Sequence, residues 1–183
     1  CSAEQLMKDS GYSIDENNAE NTGVILGVGL GGLHTIEVFH SKLMESGPSR
    51  ISPFFIPMLI SNMAPGQVAI NTGAKGPNLV LTSACASSLH AIGHAYSEIL
   101  LGRCEAVITG GMEATITPMG ISGFTSMKAL CTQYDDTPQK ASRPFDLTRA
   151  GFVMSEGAAM LMLESLESAK ARGAKIYAEI VGF

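Results

Sequence analysis

The stretch from Gly76 to Ile92 reads Gly-Pro-Asn-Leu-Val-Leu-Thr-Ser-Ala-Cys-Ala-Ser-Ser-Leu-His-Ala-Ile, and it decides the fold. The aliphatic run at Leu79–Thr82 predicts a strand, and the spacing of apolar residues over Ala86–Leu101 predicts a helix that follows at once. Cys85 stands between the two. Its neighbours are small, so the chain can make a tight strand-to-helix turn that lifts the thiol out of the sheet.

This turn suits a cysteine nucleophile. The helix N-terminus directs free N–H groups and the positive end of the helix dipole at the sulfur of Cys85, which favours the thiolate. The backbone N–H of Cys85 can itself donate to an oxyanion formed on an attacked thioester. The alternative is a structural cysteine buried at a crowded turn, because free cysteines are among the most buried residues. Local chemistry leaves both interpretations open.

The chain offers Cys85 no local base. At about 100° per residue, His90 lies about 140° and His94 about 180° around the following helix from Cys85, so both are expected to face away. His34 and His40 lie on an earlier predicted helix and have no sequence link to the turn. A cysteine hydrolase would need a histidine within reach, so the sequence argues against one.

Strand and helix patterns alternate along the rest of the chain, which predicts an α/β fold with a mostly parallel sheet covered by helices. Strands are predicted at Thr22–Gly27, Leu79–Thr82, Ala106–Thr109, Ala158–Leu163 and Ile176–Val181. Helices are predicted at Leu33–Met44, Asn62–Ile70, Ala86–Leu101 and Leu166–Arg172, while Met119–Cys131 is mixed. Residues 1–183 are expected to form one partial domain that is cut at both ends, the first end within a helix and the second within a strand.

Composition excludes several classes of function. The net charge is −5 and no Lys/Arg-rich run occurs, which argues against a nucleic-acid surface. Gly, Ser, Asn or charged residues interrupt every apolar stretch, so no membrane span is expected. The four cysteines are isolated, which fits neither a zinc site nor a disulfide scaffold and indicates a reducing cytoplasm. Cys104 and Cys131 are expected to be small buried hydrophobic residues.

A glycine-rich segment raises a second hypothesis. Gly27–Gly32 fits the G-x-G-x-x-G pattern of a dinucleotide-binding loop between a predicted strand and a predicted helix. That fingerprint requires an acidic residue about 20 positions on, at the end of a second strand. Glu45 lies instead at the end of a predicted helix, and no strand is predicted between Leu33 and Arg50. The sequence therefore disfavours a dinucleotide site.

Gly76–Ile92 is similar, position by position, to the active-site segment of the β-ketoacyl-(acyl-carrier-protein) synthases. The resemblance extends over nearly the whole chain and is closest to the bacterial type II enzymes. Further matching runs follow in the family's order: Gly29–Leu33, Ile51–Phe55, Asn62 with Met63, Gly110–Ala114, Ala141–Asp146, Gly151–Val153, Glu156 with Gly157, and Arg172–Glu179.

The resemblance implies a thiolase-like layered αβαβα fold, here mainly its N-terminal half, in a cytoplasmic homodimer. It implies that Cys85 accepts an acyl group from an acyl carrier protein and that a decarboxylative condensation with malonyl-carrier protein follows. No resident metal or organic cofactor is expected, because the phosphopantetheine arrives on the carrier. The family's catalytic histidines lie in the C-terminal half, beyond this chain, so the chain alone is expected to be inactive.

The resemblance also implies further site residues. The acyl pocket would be lined by Leu30, Phe55, Ala84, Gly120 and Phe124, and the carrier protein would meet Arg50 and Lys128. For Leu30 and Phe124 the alternative is ordinary core packing, and for the two cations it is solubilising surface charge. The chain could also be a non-catalytic dimerisation fragment. The related chain-length factors replace the nucleophile, whereas this chain retains Cys85.

Overall fold

The computed structural model describes all 183 residues, Cys1–Phe183. The chain forms two compact units, and each is described by itself. The first unit comprises Cys1–Gly31, Ile60–Glu113 and Gly157–Phe183, and the second comprises Gly32–Leu59 and Ala114–Glu156. No helix is both long enough and apolar enough to cross a membrane.

The first unit is built on a four-stranded sheet. Its strands are β1 (Thr22–Gly27), β2 (Asn78–Leu81), β3 (Ala106–Glu113) and β4 (Gly157–Glu164), in the order β2-β1-β3-β4. Strand β1 runs parallel to both β2 and β3, and β4 pairs antiparallel with β3. The predicted α/β class with a mixed, mostly parallel sheet is confirmed.

Helices cover both faces of this sheet. The unit contains α1 (Ser2–Ser10), α4 (Met63–Thr72), α5 (Ser87–Leu100) and α7 (Leu166–Ala171). On one face, Ala91 and Ala95 of α5 pack with Ile25 and Val107. On the other face, α1 and α4 contribute residues to a cluster with the alternate positions of the same strands: Leu6, Val24, Leu26, Val68 and Ile108. The central strands β1 and β3 are therefore buried on both faces, as their near-continuous apolar runs require.

The second unit contains α2 (Leu33–Ser46), α3 (Phe55–Leu59) and α6 (Pro118–Ser126). The aromatic rings of Phe39 and Phe55 lie 5.2 Å apart and join α2 to α3. The Glu37 carboxylate of α2 accepts the backbone N–H of Met119 at 2.7 Å, in the first turn of α6. Contacts between distant segments therefore hold this unit together.

One local prediction needs correction. Met119–Cys131 was expected to be mixed, and it begins within a helix, α6 (Pro118–Ser126), which turn and irregular residues follow. The extended segment predicted as a strand at Ile176–Val181 is not a strand, because no neighbouring segment forms a hydrogen-bonded ladder with it. The other predicted strands and helices are present with small shifts at their ends, and β3 runs four residues further, to Glu113.

Candidate active site

Cys85 lies in the turn between β2 and α5, and its side chain is exposed. The preceding residue, Ala84, has φ 52°, which is in the left-handed region that a residue with a Cβ rarely occupies. Such a backbone conformation reverses the chain in very few residues and lifts the thiol clear of the sheet. The structure therefore contradicts the alternative of a cysteine buried at a crowded turn.

Two glycines allow the N-terminus of α5 to rest directly on the sheet. A Cβ on Gly27, at the end of β1, would lie 2.3 Å from the carbonyl carbon of Ser87. A Cβ on Gly111, in β3, would lie 2.6 Å from the Cβ of Ser88. Both distances are shorter than any real contact, so the start of α5 touches the strand backbones. This close contact fixes Cys85 at the carboxyl edge of the parallel strands.

The backbone at the turn is held by side chains of the same segment. The Ser87 hydroxyl accepts the backbone N–H of Ser83 at 2.9 Å and donates to the carbonyl of Ala84 at 2.6 Å. Ser87 is 4% exposed, so this arrangement is shielded from water. The backbone N–H of Cys85 has no acceptor within the unit. It is therefore free to donate to a group that approaches the sulfur.

The polar contacts of the α5 histidines are to groups other than Cys85. Nδ1 of His90 lies 2.6 Å from the hydroxyl oxygen of Ser83, and the His90 ring packs edge-on against Phe183. His94 lies 3.7 Å from the carboxylate of Glu98. Neither histidine bonds to Cys85, in agreement with the helical spacing. The structure thus places an exposed thiol with a free N–H beside it, and no general base on the same helix serves that thiol.

The other internal cysteines differ from Cys85. Cys104 is 4% exposed, and burial together with the nearby Glu98 carboxylate raises the pKa of its thiol. Cys131 is half-buried in the second unit, where its N–H donates to the carbonyl of Phe152. The prediction of a buried cysteine is confirmed for Cys104, and Cys131 is less buried than expected. No group of three or more His, Cys, Asp or Glu side chains is placed to hold a metal ion.

Leu30 lies in the loop that follows β1. This loop is next to the turn between β2 and α5 that carries Cys85, which we call the elbow. In the register of the sheet, Gly27 pairs with Leu81, so β1 and β2 end side by side. A Cβ on Gly29 would lie 3.7 Å from the carbonyl oxygen of Ala84. Leu30 itself is 54% exposed rather than packed in the core. The structure therefore brings together the loop of Leu30, Ala84 and Cys85 in one unit.

The contacts of the same loop argue against the dinucleotide-binding hypothesis. The backbone N–H groups of Leu30 and Gly31 donate to the two carboxylate oxygens of Glu113 at 2.6 and 3.3 Å. These are the donors that a pyrophosphate would need, and the negative charge of Glu113 would repel it. As the sequence predicted, no strand lies between Leu33 and Arg50. Geometry and charge both exclude the dinucleotide interpretation of this segment.

The remaining predicted site residues lie in the second unit. Half-buried Phe124 of α6 packs edge-on against Phe152, with ring centroids 5.4 Å apart, so it has at least a packing role. Gly120 is buried, and a Cβ there would lie 2.2 Å from the carbonyl oxygen of Thr115. Arg50 and Lys128 are both exposed. The roles expected for these residues and for Phe55 stay predictions.

Sequence reasoning missed two contributors to the site. Glu113 was seen only as part of a matching run, and its contact with the Leu30 loop spans 83 residues. Ser87 was treated only as a small neighbour of Cys85. A serine two positions after the cysteine, at the first position of a helix, was a usable signal, because serine hydroxyls at helix starts commonly bond to nearby backbone groups.

An exposed cysteine on a strand-to-helix turn of an α/β sheet is an arrangement that enzymes with a nucleophilic side chain use. The family model described as β-ketoacyl synthase, N-terminal domain, matches residues 1–169. The chain belongs to the β-ketoacyl synthase family.

Named relatives agree with this assignment. The chain is 52% identical over 179 residues to 3-oxoacyl-[acyl-carrier-protein] synthase 2 of Vibrio harveyi, a match that covers 98% of this chain and 43% of that protein. It is 52% identical over 181 residues to the synthase of the same name from Staphylococcus aureus, covering 99% of this chain and 44% of that protein. The chain thus spans less than half the length of these curated relatives.

Solved structures show the same fold. A β-ketoacyl synthase from Burkholderia phymatum STM815 matches with a TM-score of 0.89 and 35% identity, over 99% of this chain and 44% of that one. A ketosynthase described in complex with its type II polyketide acyl-carrier protein matches with a TM-score of 0.87 and 30% identity, over 98% of this chain and 45% of that one. The chain therefore has the fold of the thiolase-like ketosynthases.

Proposed function

We propose that the protein is a condensing enzyme of fatty-acid elongation and that Cys85 is its acyl-accepting nucleophile. The observation that carries the proposal is the exposed thiol on the elbow with a free backbone N–H at the same residue. In the first step the Cys85 thiolate attacks the thioester carbonyl of an acyl-carrier protein. The new C–S bond forms, the carrier's C–S bond breaks, and the released phosphopantetheine thiolate takes up a proton. The oxyanion of the intermediate accepts the Cys85 N–H.

The second step is condensation. Malonyl-carrier protein loses carbon dioxide, and the electron pair left behind attacks the carbonyl carbon of the Cys85 thioester. The Cys85 thiolate leaves, and a β-ketoacyl product two carbons longer remains on the carrier. This step needs groups that His90 and His94 do not supply to Cys85, because His90 is bonded to Ser83 and neither ring is hydrogen-bonded to the thiol. We propose that they come from the part of the relatives that this chain does not span, so the chain alone does not complete condensation.

The decisive experiment measures intact mass after incubation with an acyl-carrier-protein thioester. The whole natural protein that contains this sequence should gain one acyl group, and Cys85→Ala should gain none. The matched control is Cys104→Ala, which removes a buried thiol and should leave the adduct unchanged. An adduct that persists in Cys85→Ala would refute the assignment of the nucleophile. Turnover by the 183-residue chain alone would refute the proposal that it cannot complete condensation.

The carrier protein is the proposed macromolecular partner. Exposed Arg50 and Lys128 offer positive charge in a chain whose net charge is −5, and carrier proteins of the family are acidic. Charge reversal at either position should raise KM for carrier-bound substrate while kcat changes little. The control is Lys8→Glu, an equally exposed cation in α1. If Lys8→Glu raises KM as much as the other two reversals, the effect is one of net charge and the proposed docking site is wrong.

We further propose that the protein acts in the cytoplasm as a homodimer. Strand β2 is an edge of the sheet, so one side of its backbone has no partner strand in the chain and could pair with a second copy. Its first two residues, Asn78 and Leu79, are exposed. Sedimentation of the whole protein tests the dimer, with Leu79→Lys expected to shift it toward monomer. A wild-type protein that sediments as a monomer at all accessible concentrations would refute the proposed homodimer.

A further inference from the structure

Ser87 bridges the two sides of the elbow that carries Cys85. Its hydroxyl oxygen accepts from the N–H of Ser83 at 2.9 Å, and its hydroxyl hydrogen points to the carbonyl of Ala84 at 2.6 Å. The backbone N–H of Ser87 reaches the same Ala84 oxygen at 3.1 Å. Two donors from one residue therefore converge on a single carbonyl. Because Ser87 is 4% exposed, water does not compete for these bonds.

That carbonyl belongs to the peptide group that contains the N–H of Cys85. A peptide group is planar, and in the trans form its C=O and N–H point in opposite directions. No peptide bond in the chain is cis. Fixing the Ala84 carbonyl toward Ser87 therefore fixes the direction of the Cys85 N–H, away from the body of α5.

The hydrogen bonds of Ser87 hold Ala84 in a strained backbone conformation. Ala84 is held at φ 52°, whereas an alanine free to choose prefers negative φ. Relaxation toward negative φ would rotate the peptide group that follows. The Cys85 N–H would then turn away from its present direction, although the thiol would stay exposed.

We propose that Ser87 is a positioning residue whose hydroxyl holds the Ala84–Cys85 peptide so that the Cys85 N–H meets the oxyanion formed during acyl transfer. This inference rests on the acyl transfer to Cys85 proposed above. It has a selective consequence: a reaction that builds an oxyanion depends on Ser87, whereas a reaction of the same sulfur without an oxyanion does not. Alkylation by iodoacetamide is of the second kind, because the sulfur displaces iodide from a saturated carbon.

The test compares these two reactions at Cys85 in the whole natural protein that contains this sequence. Acyl transfer from a carrier-protein thioester is followed by intact mass, and alkylation by peptide mapping. Ser87→Ala should slow acyl transfer about tenfold to a hundredfold, the cost of a misplaced catalytic group, and leave alkylation nearly unchanged. Ser88→Ala is the matched control, since that neighbouring hydroxyl is exposed and makes no hydrogen bond, and it should alter neither reaction. Ser87→Thr keeps the hydroxyl and should restore acyl transfer.

Each contrary result has a distinct meaning. Equal slowing of both reactions, or normal acyl transfer in Ser87→Ala, would overturn the role of Ser87 and leave the nucleophile assignment intact. If Ser87→Ala does not fold, Ser87→Cys replaces it, because a thiol is a weak hydrogen-bonding group. Normal acyl transfer to Cys85 in Ser87→Cys would likewise overturn the role. A wild-type protein that forms no adduct at Cys85 would overturn both the proposed function and this inference.

Discussion

The carboxylate of Glu113 accepts the backbone N–H of Leu30 at 2.6 Å, across 83 residues of sequence. Its second oxygen accepts the N–H of Gly31 at 3.3 Å. The end of β3 thereby holds the loop that leaves β1. Gly29 permits this approach, because a Cβ there would lie 2.8 Å from the same carboxylate. The loop that carries a proposed pocket residue is therefore positioned by an acidic side chain at the end of the adjacent strand, β3.

Replacing Glu113 should loosen this loop. Glu113→Ala removes both acceptors and should lower the free energy of unfolding by about 1.5–3 kcal/mol, the usual value for hydrogen bonds to a charged group. Glu113→Gln keeps one acceptor oxygen and should cost less. Urea denaturation measures both, with Glu16→Ala as the control, since Glu16 is exposed and has no bonded partner. Equal losses in Glu113→Ala and Glu16→Ala would show that the contact contributes nothing.

The close contact of Gly27 with α5 leads to a second prediction. Gly27→Ala would place a Cβ 2.3 Å from the backbone of Ser87, so the start of α5 must move or the chain must unfold. We expect a loss of about 3 kcal/mol or more in stability, within the range for severe overpacking. Gly66→Ala is the matched control, because a Cβ there meets no atom within 4 Å, and helix propensity favours alanine by about 1 kcal/mol. Thermal unfolding should give the highest Tm for Gly66→Ala, an intermediate Tm for the wild type and the lowest Tm for Gly27→Ala. Any other order would contradict the packing argument.

The sequence predicted most of the first unit because its signals are local. The apolar run at Thr22–Gly27 and the helical spacing after Cys85 each require only their own residues, and both elements are present. The elbow was predicted from the small residues around Cys85. The left-handed backbone at Ala84 was not, because no glycine or asparagine marks the position.

Non-local causes explain the two segments that the sequence predicted least definitely or wrongly, Met119–Cys131 and Ile176–Val181. Helix α6 contains two glycines and several Ser and Thr residues, which are weak helix formers. It is stabilised by the Thr117 side chain, which accepts the N–H of Gly120, and by Glu37, 82 residues away, which accepts the N–H of Met119. Thr117-Pro118 was a usable start signal, since Thr favours the N-cap and Pro the first helical position. The strand predicted at Ile176–Val181 failed for the opposite reason: the residues favour a strand, but no partner strand lies beside them.

Burial should make Cys85 and Cys104, two of the three cysteines of the first unit, react at different rates. The Cys85 thiol is exposed, whereas Cys104 is 4% exposed and burial raises the pKa of its thiol. Only the thiolate is alkylated at a useful rate, so native protein treated with iodoacetamide should be modified at Cys85 well before Cys104. Peptide mapping over time gives the order, and denaturant should abolish the difference. Modification of Cys104 as fast as Cys85 in native protein would mean that the first unit opens readily.

Tyr12 should make stability depend on alkaline pH. Burial raises the pKa of Tyr12, and its hydroxyl bonds to that of Thr22 at 3.2 Å. A raised folded pKa means that the folded state holds the proton more tightly than the unfolded chain does. Its contribution is therefore complete below the unfolded value of about 10 and is lost as pH rises through the folded value. Chemical denaturation above pH about 10 should show a shallower decline in Tyr12→Phe than in wild type. Equal slopes would show that Tyr12 does not titrate differently on folding.

An ion pair whose carboxylate is buried and whose guanidinium is partly exposed joins the end of the first unit to its sheet. Arg172 donates to both oxygens of Glu164, from Nε at 2.8 and 3.0 Å and from Nη2 at 2.8 Å, and its Nη1 donates to the carbonyl of Ser10 at 2.9 Å. The Glu164 side chain is only 6% exposed, so loss of Arg172 leaves a buried carboxylate whose one remaining donor is the Ser168 hydroxyl. Arg172→Met should therefore cost about 1.5–3 kcal/mol, the usual range for hydrogen bonds to a charged group, because the guanidinium is itself 28% exposed and the pair is only half-buried.

The second mutation of a double-mutant cycle distinguishes this charge effect from lost packing. Adding Glu164→Gln to Arg172→Met removes the uncompensated charge, so the double variant should be more stable than Arg172→Met alone by about 1 kcal/mol or more. If packing around the Arg172 side chain were the main term, Glu164→Gln would lower stability further. Urea denaturation of the wild type, both single variants and the double variant gives the sign of the interaction. A double variant less stable than Arg172→Met would show that the carboxylate is not the group that makes the loss of Arg172 costly.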